Sequence, residues 1–385
     1  MLSVLERTLF ALLLLGLQLC VTVRNAPGAE RPNVILIMAD DLGWGDVAYN
    51  GNPVVQTPCL DAMALEAVRL DRFYAAAPVC SPTRGSCLTG RHPYRYGIEW
   101  AGEAPLRPGE LTIAETLREA GYATGHFGKW HVGGLSKTVK QSYFNSDSPP
   151  QDCAALNVRS SDNCCVGIKN TLVCFCSDNG PSYIYDYNSA GPFQGKKATL
   201  WEGGLRVPAI VEWPGRLPEG SVIDAPISTS DFYPTILAAA GIATPEGQPI
   251  LDGINVMPLL EGRREDRGEP IAFQVPVKSE PDVFFDADAA MNGRADAQGR
   301  TTSNRRIGVK EAVPGSLQSA ICDDRYKLIS VDGGDRWRLF DLIADPGETN
   351  DLAEKQPERV RSMRTVLENW IESCERSERG EDYIQ

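Results

Sequence analysis

The chain has 385 residues, with 38 Lys and Arg against 51 Asp and Glu, a formal net charge of −13; 42% of residues are hydrophobic and 23% charged. Such a mix excludes a disordered or fibrous protein, and the acidic balance argues against a nucleic-acid partner, which needs a basic face. The overall field also repels anionic substrates, so any site for one must carry its own local cations.

Residues 8–23 form a leucine-rich, uncharged run between Arg7 and Arg24. It exceeds a usual signal-peptide core slightly and is short for a membrane span of ~20 residues. Ala26, Gly28 and Ala29 offer small residues for cleavage. Residues 1–29 are therefore read as a signal peptide and the protein as secreted or periplasmic, in preference to an uncleaved anchor. Export permits disulfides. Cys153, Cys164, Cys165, Cys174 and Cys176, five of 11 cysteines, crowd one region with no histidine nearby. Their spacing suits disulfides or an unusual local sequence better than zinc.

Residues 34–38 (VILIM) predict a buried, parallel strand ending at Asp40-Asp41. A helix opens at Thr57-Pro58 and runs through Leu70; a second spans 111–120 and stops at Gly121. Residues 122–127 predict a strand, and 171–176 (TLVCFC) another buried one ending in Ser177-Asp178-Asn179-Gly180. Residues 207–213 are a further strand and 231–240 a helix. Strands alternating with helices predict an α/β layered sheet. Beyond residue 261 the chain turns charged and loop-like, and 282–306 predicts a mobile loop. Residues 325–332 and 336–341 predict a hairpin, and 354–377 a closing amphipathic helix with Val360, Met363, Val366, Leu367 and Trp370 on one side. The reading divides the chain into a catalytic domain over 30–265 and a smaller C-terminal α+β subdomain over 266–385.

The most informative stretch is Cys80-Ser81-Pro82-Thr83-Arg84-Gly85-Ser86-Cys87-Leu88-Thr89-Gly90-Arg91. By itself it allows a low-pKa thiolate at a helix start, or a half-buried structural cysteine. It resembles the signature of the sulfatases, in the alkaline phosphatase superfamily. Four more blocks resemble that family in the same order: 32–43, 121–133 (ending Gly128-Lys129-Trp130-His131-Val132-Gly133), 177–204, and 325–348 with its Asp345-Pro346-Gly347-Glu348 turn. The resemblance implies an alkaline-phosphatase-like mixed sheet flanked by helices.

It also implies a chemistry. Cys80 is oxidised to formylglycine by a formylglycine-generating maturation enzyme, and the aldehyde hydrate attacks the sulfur of a sulfate ester. A sulfo-enzyme intermediate then releases sulfate, because a second hydroxyl can lose its proton and reform the aldehyde. Asp40, Asp41, Asp178 and Asn179, with Cys80, hold one Ca²⁺; oxygen donors at strand ends suit a hard cation. Arg84 supports the formylglycine, Lys129 and Lys197 bind the sulfate group and the charge that develops on it, and His131 takes a hydroxyl proton. Lys197 is preferred to Lys196 for its spacing to Trp201-Glu202-Gly203-Gly204. His92 and His126 read as structural or surface residues.

The chain departs from the family in one respect. A second active-site histidine, which protonates the leaving alcohol, has no counterpart among the three histidines. The interval between Gly133 and Asn170 is also shorter than in relatives, and 136–168 resembles nothing in the family, as an internal deletion or a shifted reading frame would look. The substrate is a sulfate ester of an alcohol, phenol or sugar, a sulfated polysaccharide among them, with turnover of alkyl and sugar sulfates impaired. The alternatives are an inactive relative that binds sulfated ligands, and a phosphodiesterase or phosphonate hydrolase of the same superfamily.

Overall fold

The computed structural model describes residues 31–102, 104–133, 170–182, 188–276 and 316–383. The predicted signal peptide, the stretch 136–168 and the loop 282–306 lie outside the described residues. Among the described residues no helix is long and apolar enough to cross a membrane.

In chain order the first half supplies β1 (Asn33–Ala39), α1 (Pro58–Glu66), β2 (Val68–Leu70), β3 (Phe73–Tyr74), α2 (Cys80–Thr89), α3 (Pro93–Tyr96) and α4 (Ile113–Glu119). There follow β4 (Thr171–Ser177), α5 (Glu202–Leu205), β5 (Ala209–Glu212), β6 (Ser221–Ile223), β7 (Ile227–Ser228), α6 (Phe232–Ala239) and α7 (Met257–Leu260). The C-terminal part holds β8 (Ile271–Pro276), β9 (Leu317–Cys322), β10 (Tyr326–Ser330), β11 (Arg338–Asp341) and α8 (Pro357–Glu378).

The main sheet is mixed, in the order β1-β4-β5-β2-β6. β1 and β4 run parallel, β5 is antiparallel to both β4 and β2, and β6 is parallel to β2. A second, antiparallel sheet has the order β11-β10-β9-β8, with α8 packed on it through Met363 and Leu367. This is the α/β architecture with a separate C-terminal α+β unit. The main core gathers Leu172, Cys174 and Cys176 of β4, Val211 of β5 and Phe232 and Ile236 of α6.

Several expectations are corrected. The helix opened by Thr57-Pro58 ends at Glu66, and Val68–Leu70 is a strand. β-branched Val68 with Leu70 fills a two-sided core position, both fully buried, where β5 and β6 offer ladder partners. Residues 122–127 form no strand; 123–127 are all exposed and find no ladder partner among the described residues, and a strand needs a neighbour to answer its backbone groups. β1 is parallel but not buried on both faces: Ile35 and Ile37, which share one face of the strand, are 40% and 45% exposed; among the described residues β1 is also an edge strand. Val366 of α8 faces solvent. Cys174 and Cys176 are free thiols buried in β4, not disulfide partners; Cys153, Cys164 and Cys165 lie outside the described residues.

Candidate active site

Asp40-Asp41 and Asp178-Asn179 leave the same end of two neighbouring parallel strands, since Ala39 pairs with Ser177. The two turns are stitched together: Asp178 N donates to Ala39 O at 3.1 Å, and Asp41 N donates to Asp178 Oδ1 at 3.1 Å. α2 begins beside them. Its first residue, Cys80, is 2% exposed and places Sγ 3.8 Å from Asp41 Oδ1. Ligand atoms of Asp40, Asp41, Cys80 and Asp178 all lie within 4.8 Å of one another.

These residues fit a hard cation. Three carboxylates and an amide form an oxygen-rich set. Asn179 Nδ2 donates to Asp41 Oδ1 and to Gly180 O, at 2.7 and 2.8 Å, whereas its buried Oδ1 has no hydrogen-bond partner. A buried acceptor without a donor is what a bound cation satisfies.

Three basic side chains face the carboxylates. Arg84 lays its fork on Asp178 Oδ2, with Nε at 3.0 and Nη2 at 2.7 Å, and Nη1 donates to Lys129 O at 2.9 Å. Lys129 Nζ donates to Asp40 Oδ1 at 2.6 Å. Lys197 Nζ donates to Asp41 Oδ1 and lies 3.2 Å from Cys80 Sγ. Thus the local cations that the acidic chain requires are present. His131 occupies the loop that follows Lys129; its Nδ1 is buried without a partner. Asp41, His131 and Ala198 hold φ of 56°, 59° and 70°, three of the five non-glycine residues with positive φ among the described residues. Backbone of this kind costs on the order of 1–3 kcal/mol per residue and gathers at functional sites.

Protonation follows from burial and neighbours. Burial raises the Asp178 carboxyl to about 6, with Arg84 opposing and Asp40 adding to the rise. Burial acts the same way on Asp40 and is the largest single influence there, but the hydrogen bonds with Lys129 and Asp178 and the charges of Lys129 and Arg84 together outweigh it, and the carboxyl falls to about 2. Burial, then Lys129 and Arg84, lowers His131 to about 4, so its imidazole is neutral at pH 7. Burial, then Asp178, pushes the Cys80 thiol up to about 11 despite Lys197. This corrects the low-pKa thiolate reading: the start of α2 does not offset desolvation, and the unmodified side chain is a neutral thiol at pH 7.

Every residue singled out for the site in the sequence thus converges on one place. His92 does not: it is buried against α8, edge-on to Trp370 with ring centroids 4.6 Å apart. His126 is exposed, its Nε2 3.2 Å from Gly128 O. Sequence reasoning missed the groups that fix Lys197. Lys197 N donates to Pro181 O, and Ala198 N donates to Pro78 O, two residues before Cys80. Nothing in the spacing of prolines signals such contacts.

The sulfatase family model matches residues 32–157 and 168–242, just over half of the chain. The chain belongs to the sulfatase family. It is 29% identical to human N-acetylgalactosamine-6-sulfatase over 470 positions, covering 89% of this chain and 85% of that protein. That alignment is longer than the chain, so the human protein has residues that this sulfatase lacks. Rat arylsulfatase G is 29% identical over 371 positions, covering 62% of this chain and 70% of the relative. Among solved structures, one described as BT4656 in complex with its substrate D-glucosamine-2-N,6-O-disulfate has a TM-score of 0.61 at 15% identity, covering 90% of this chain and 98% of that one. The likeness extends the shared fold over both sheets of this sulfatase.

Proposed function

We propose that this sulfatase hydrolyses sulfate esters with a formylglycine made from Cys80 and a calcium ion held by Asp40, Asp41, Asp178 and Asn179. The observation that carries the reading is the meeting of Lys197 Nζ and Asp41 Oδ1 at Cys80 Sγ. Calcium would supply Lewis-acid charge and a template for sulfate oxygens. A hydrated aldehyde at position 80 would supply the nucleophile that the neutral thiol does not.

The chain's own residues do the rest. Lys129 and Lys197 bind the sulfate group and answer the charge that grows on it in the transition state. Arg84 holds Asp178 ionised at neutral pH by a bidentate, charge-assisted pair. His131, neutral at pH 7, accepts the hydroxyl proton at a ring nitrogen. The chain carries three histidines, and neither His92 nor His126 has the placement of His131. No imidazole is therefore left to protonate the leaving alcohol. General acid assistance contributes about 10²–10⁴-fold, so aryl sulfates, with good leaving groups, turn over faster than alkyl or sugar sulfates. The names of the relatives favour a sulfated sugar or polysaccharide as the natural ligand class, reached by export through the N-terminal signal.

The test is turnover of 4-nitrocatechol sulfate by protein coexpressed with a formylglycine-generating enzyme. Cys80→Ala is run beside it, and the mass of the tryptic peptide 73–84 reports the aldehyde. Turnover that vanishes in Cys80→Ala supports the reading. An intact aldehyde with no turnover transfers support to the inactive, ligand-binding alternative.

A further inference from the structure

The C-terminal sheet carries a lysine that no catalytic role has absorbed. Lys327 of β10 is fully buried, as are Glu202 and Glu348. Its Nζ lies 3.0 Å from Glu202 Oε1 and 2.9 Å from Glu348 Oε1. Glu348 Oε2 accepts from Glu202 N at 2.7 Å, and Glu202 Oε2 accepts from Tyr74 OH at 3.0 Å. Glu348 holds φ of 53° to present its carboxylate there. An ionic cluster taken wholly out of water is weak grounds for stability, because desolvation offsets the attraction. Its place in the fold suggests another use.

Glu202 opens α5 directly after the loop 194–201 that carries Lys197, and that loop is stiff. Gly203 N donates to Gln194 O at 2.6 Å, and Thr199 Oγ1 closes on Lys196 O at 2.7 Å. A Cβ at Gly203 or Gly204 would lie 2.4 Å from Gly195 O or 2.1 Å from Thr199 O. The C-terminal part grips the same loop twice more. Gln318 of β9 bonds Leu200 N and Ala198 O, each at 3.4 Å, and Gln194 Nε2 donates to Glu348 O at 2.7 Å. Displacing Glu202 therefore moves Lys197 as part of one body.

We infer that Lys327 is a positioning residue for the active site: through Glu202 and Glu348 it holds the loop that places the Lys197 ammonium at residue 80. This rests on the sulfatase reading of Lys197. A purely structural lysine would lower stability without acting through that ammonium.

The test is a double-mutant cycle on the matured, calcium-loaded protein: wild type, Lys197→Ala, Lys327→Met and the double variant, each assayed for 4-nitrocatechol sulfate turnover and for the shift in melting temperature caused by inorganic sulfate. Lys327→Met is expected to lower kcat/KM at least tenfold alone and less than about twofold on the Lys197→Ala background, and to shrink the sulfate shift. Losses that multiply independently overturn the inference. Should Lys327→Met not fold, Gln318→Leu takes its place in the cycle, with a smaller effect of the same non-additive form; additive losses there overturn the inference equally. Wild-type protein that binds sulfate without turnover defeats the catalytic reading alone, and the sulfate shifts then decide the positioning role. Wild-type protein that shows neither turnover nor a shift overturns both.

Discussion

Asp178 shows how one residue in this site depends on all its neighbours. It is fully buried, its carboxyl raised to about 6 by desolvation, with Arg84 first and the backbone N–H of Asp41 after it holding it from rising further. A carboxylate that ligates a cation must first lose its proton, so binding competes with protonation. At pH 7 Asp178 is mostly ionised, so the calcium ion proposed for this site would find its ligand ready; as pH falls through 6 the proton would compete and the affinity would drop. Asp40, lowered to about 2 against its desolvation by Lys129, Asp178 and Arg84 together, stays ionised over the same range. The calcium-induced rise in melting temperature is therefore expected to shrink between about pH 7 and about pH 5, and isothermal titration should show proton release growing over that interval. A rise that is flat with pH would place the cation away from Asp178. His131, by contrast, stays neutral down to about 4, so its own protonation contributes nothing to this loss.

At the scale of elements, β1 and β4 make a pair with unequal duties. β4 is covered on both faces, with Leu172, Cys174 and Cys176 in the core. Among the described residues β1 has β4 on one side only, and it exposes Ile35 and Ile37. Both strands must nevertheless end in register, because the residues that follow them, Asp40-Asp41 and Asp178-Asn179, form the proposed metal site. Leu172→Ala leaves a cavity in packed surroundings and should cost about 2–5 kcal/mol; Ile37→Thr alters a half-exposed position and should stay within about 0.5 kcal/mol. Urea denaturation of the two variants measures both. A large loss for Ile37→Thr would show that the outer face of β1 is covered in the native protein. The apolar run 34–38 had signalled a strand buried on both faces. The run and the parallel pairing are real, but how much of a strand is covered depends on which elements pack against it, and hydropathy along the chain carries no record of that.

The whole molecule is held by joints between the sheet that bears the site and the C-terminal part. Asp252 is the hub of one. It accepts from Arg95 Nε and Nη2 at 2.7 and 2.9 Å, from Trp370 Nε1 at 2.8 Å and from His92 N at 2.6 Å. Arg95 also reaches Ser373 and Ser377 of α8. Asp252→Ala strands a buried guanidinium and should destabilise by about 3–5 kcal/mol. If the two parts unfold together, calorimetry will show a single transition lowered as one; a split into two transitions would mean that they are independent domains. The buried cluster around Lys327 is the second joint and reaches the site through the loop that bears Lys197.

The sequence alone, through its resemblance to the sulfatases, determined the family and the alternation of strands and helices, and it pointed to the candidate residues of the site. These are legible because they are local: Cys80-Ser81-Pro82-Thr83-Arg84, the two acidic strand ends and the Gly128-to-His131 stretch are short patterns whose chemistry depends on residue type. The tertiary structure alone decided that the Cys80 thiol is neutral, that Asp178 sits near 6 while Asp40 sits near 2, and that Glu202, Lys327 and Glu348 meet. Each of these depends on burial and on charges brought together from positions far apart in the chain, and desolvation and Coulomb energies follow distance in space, not separation in sequence.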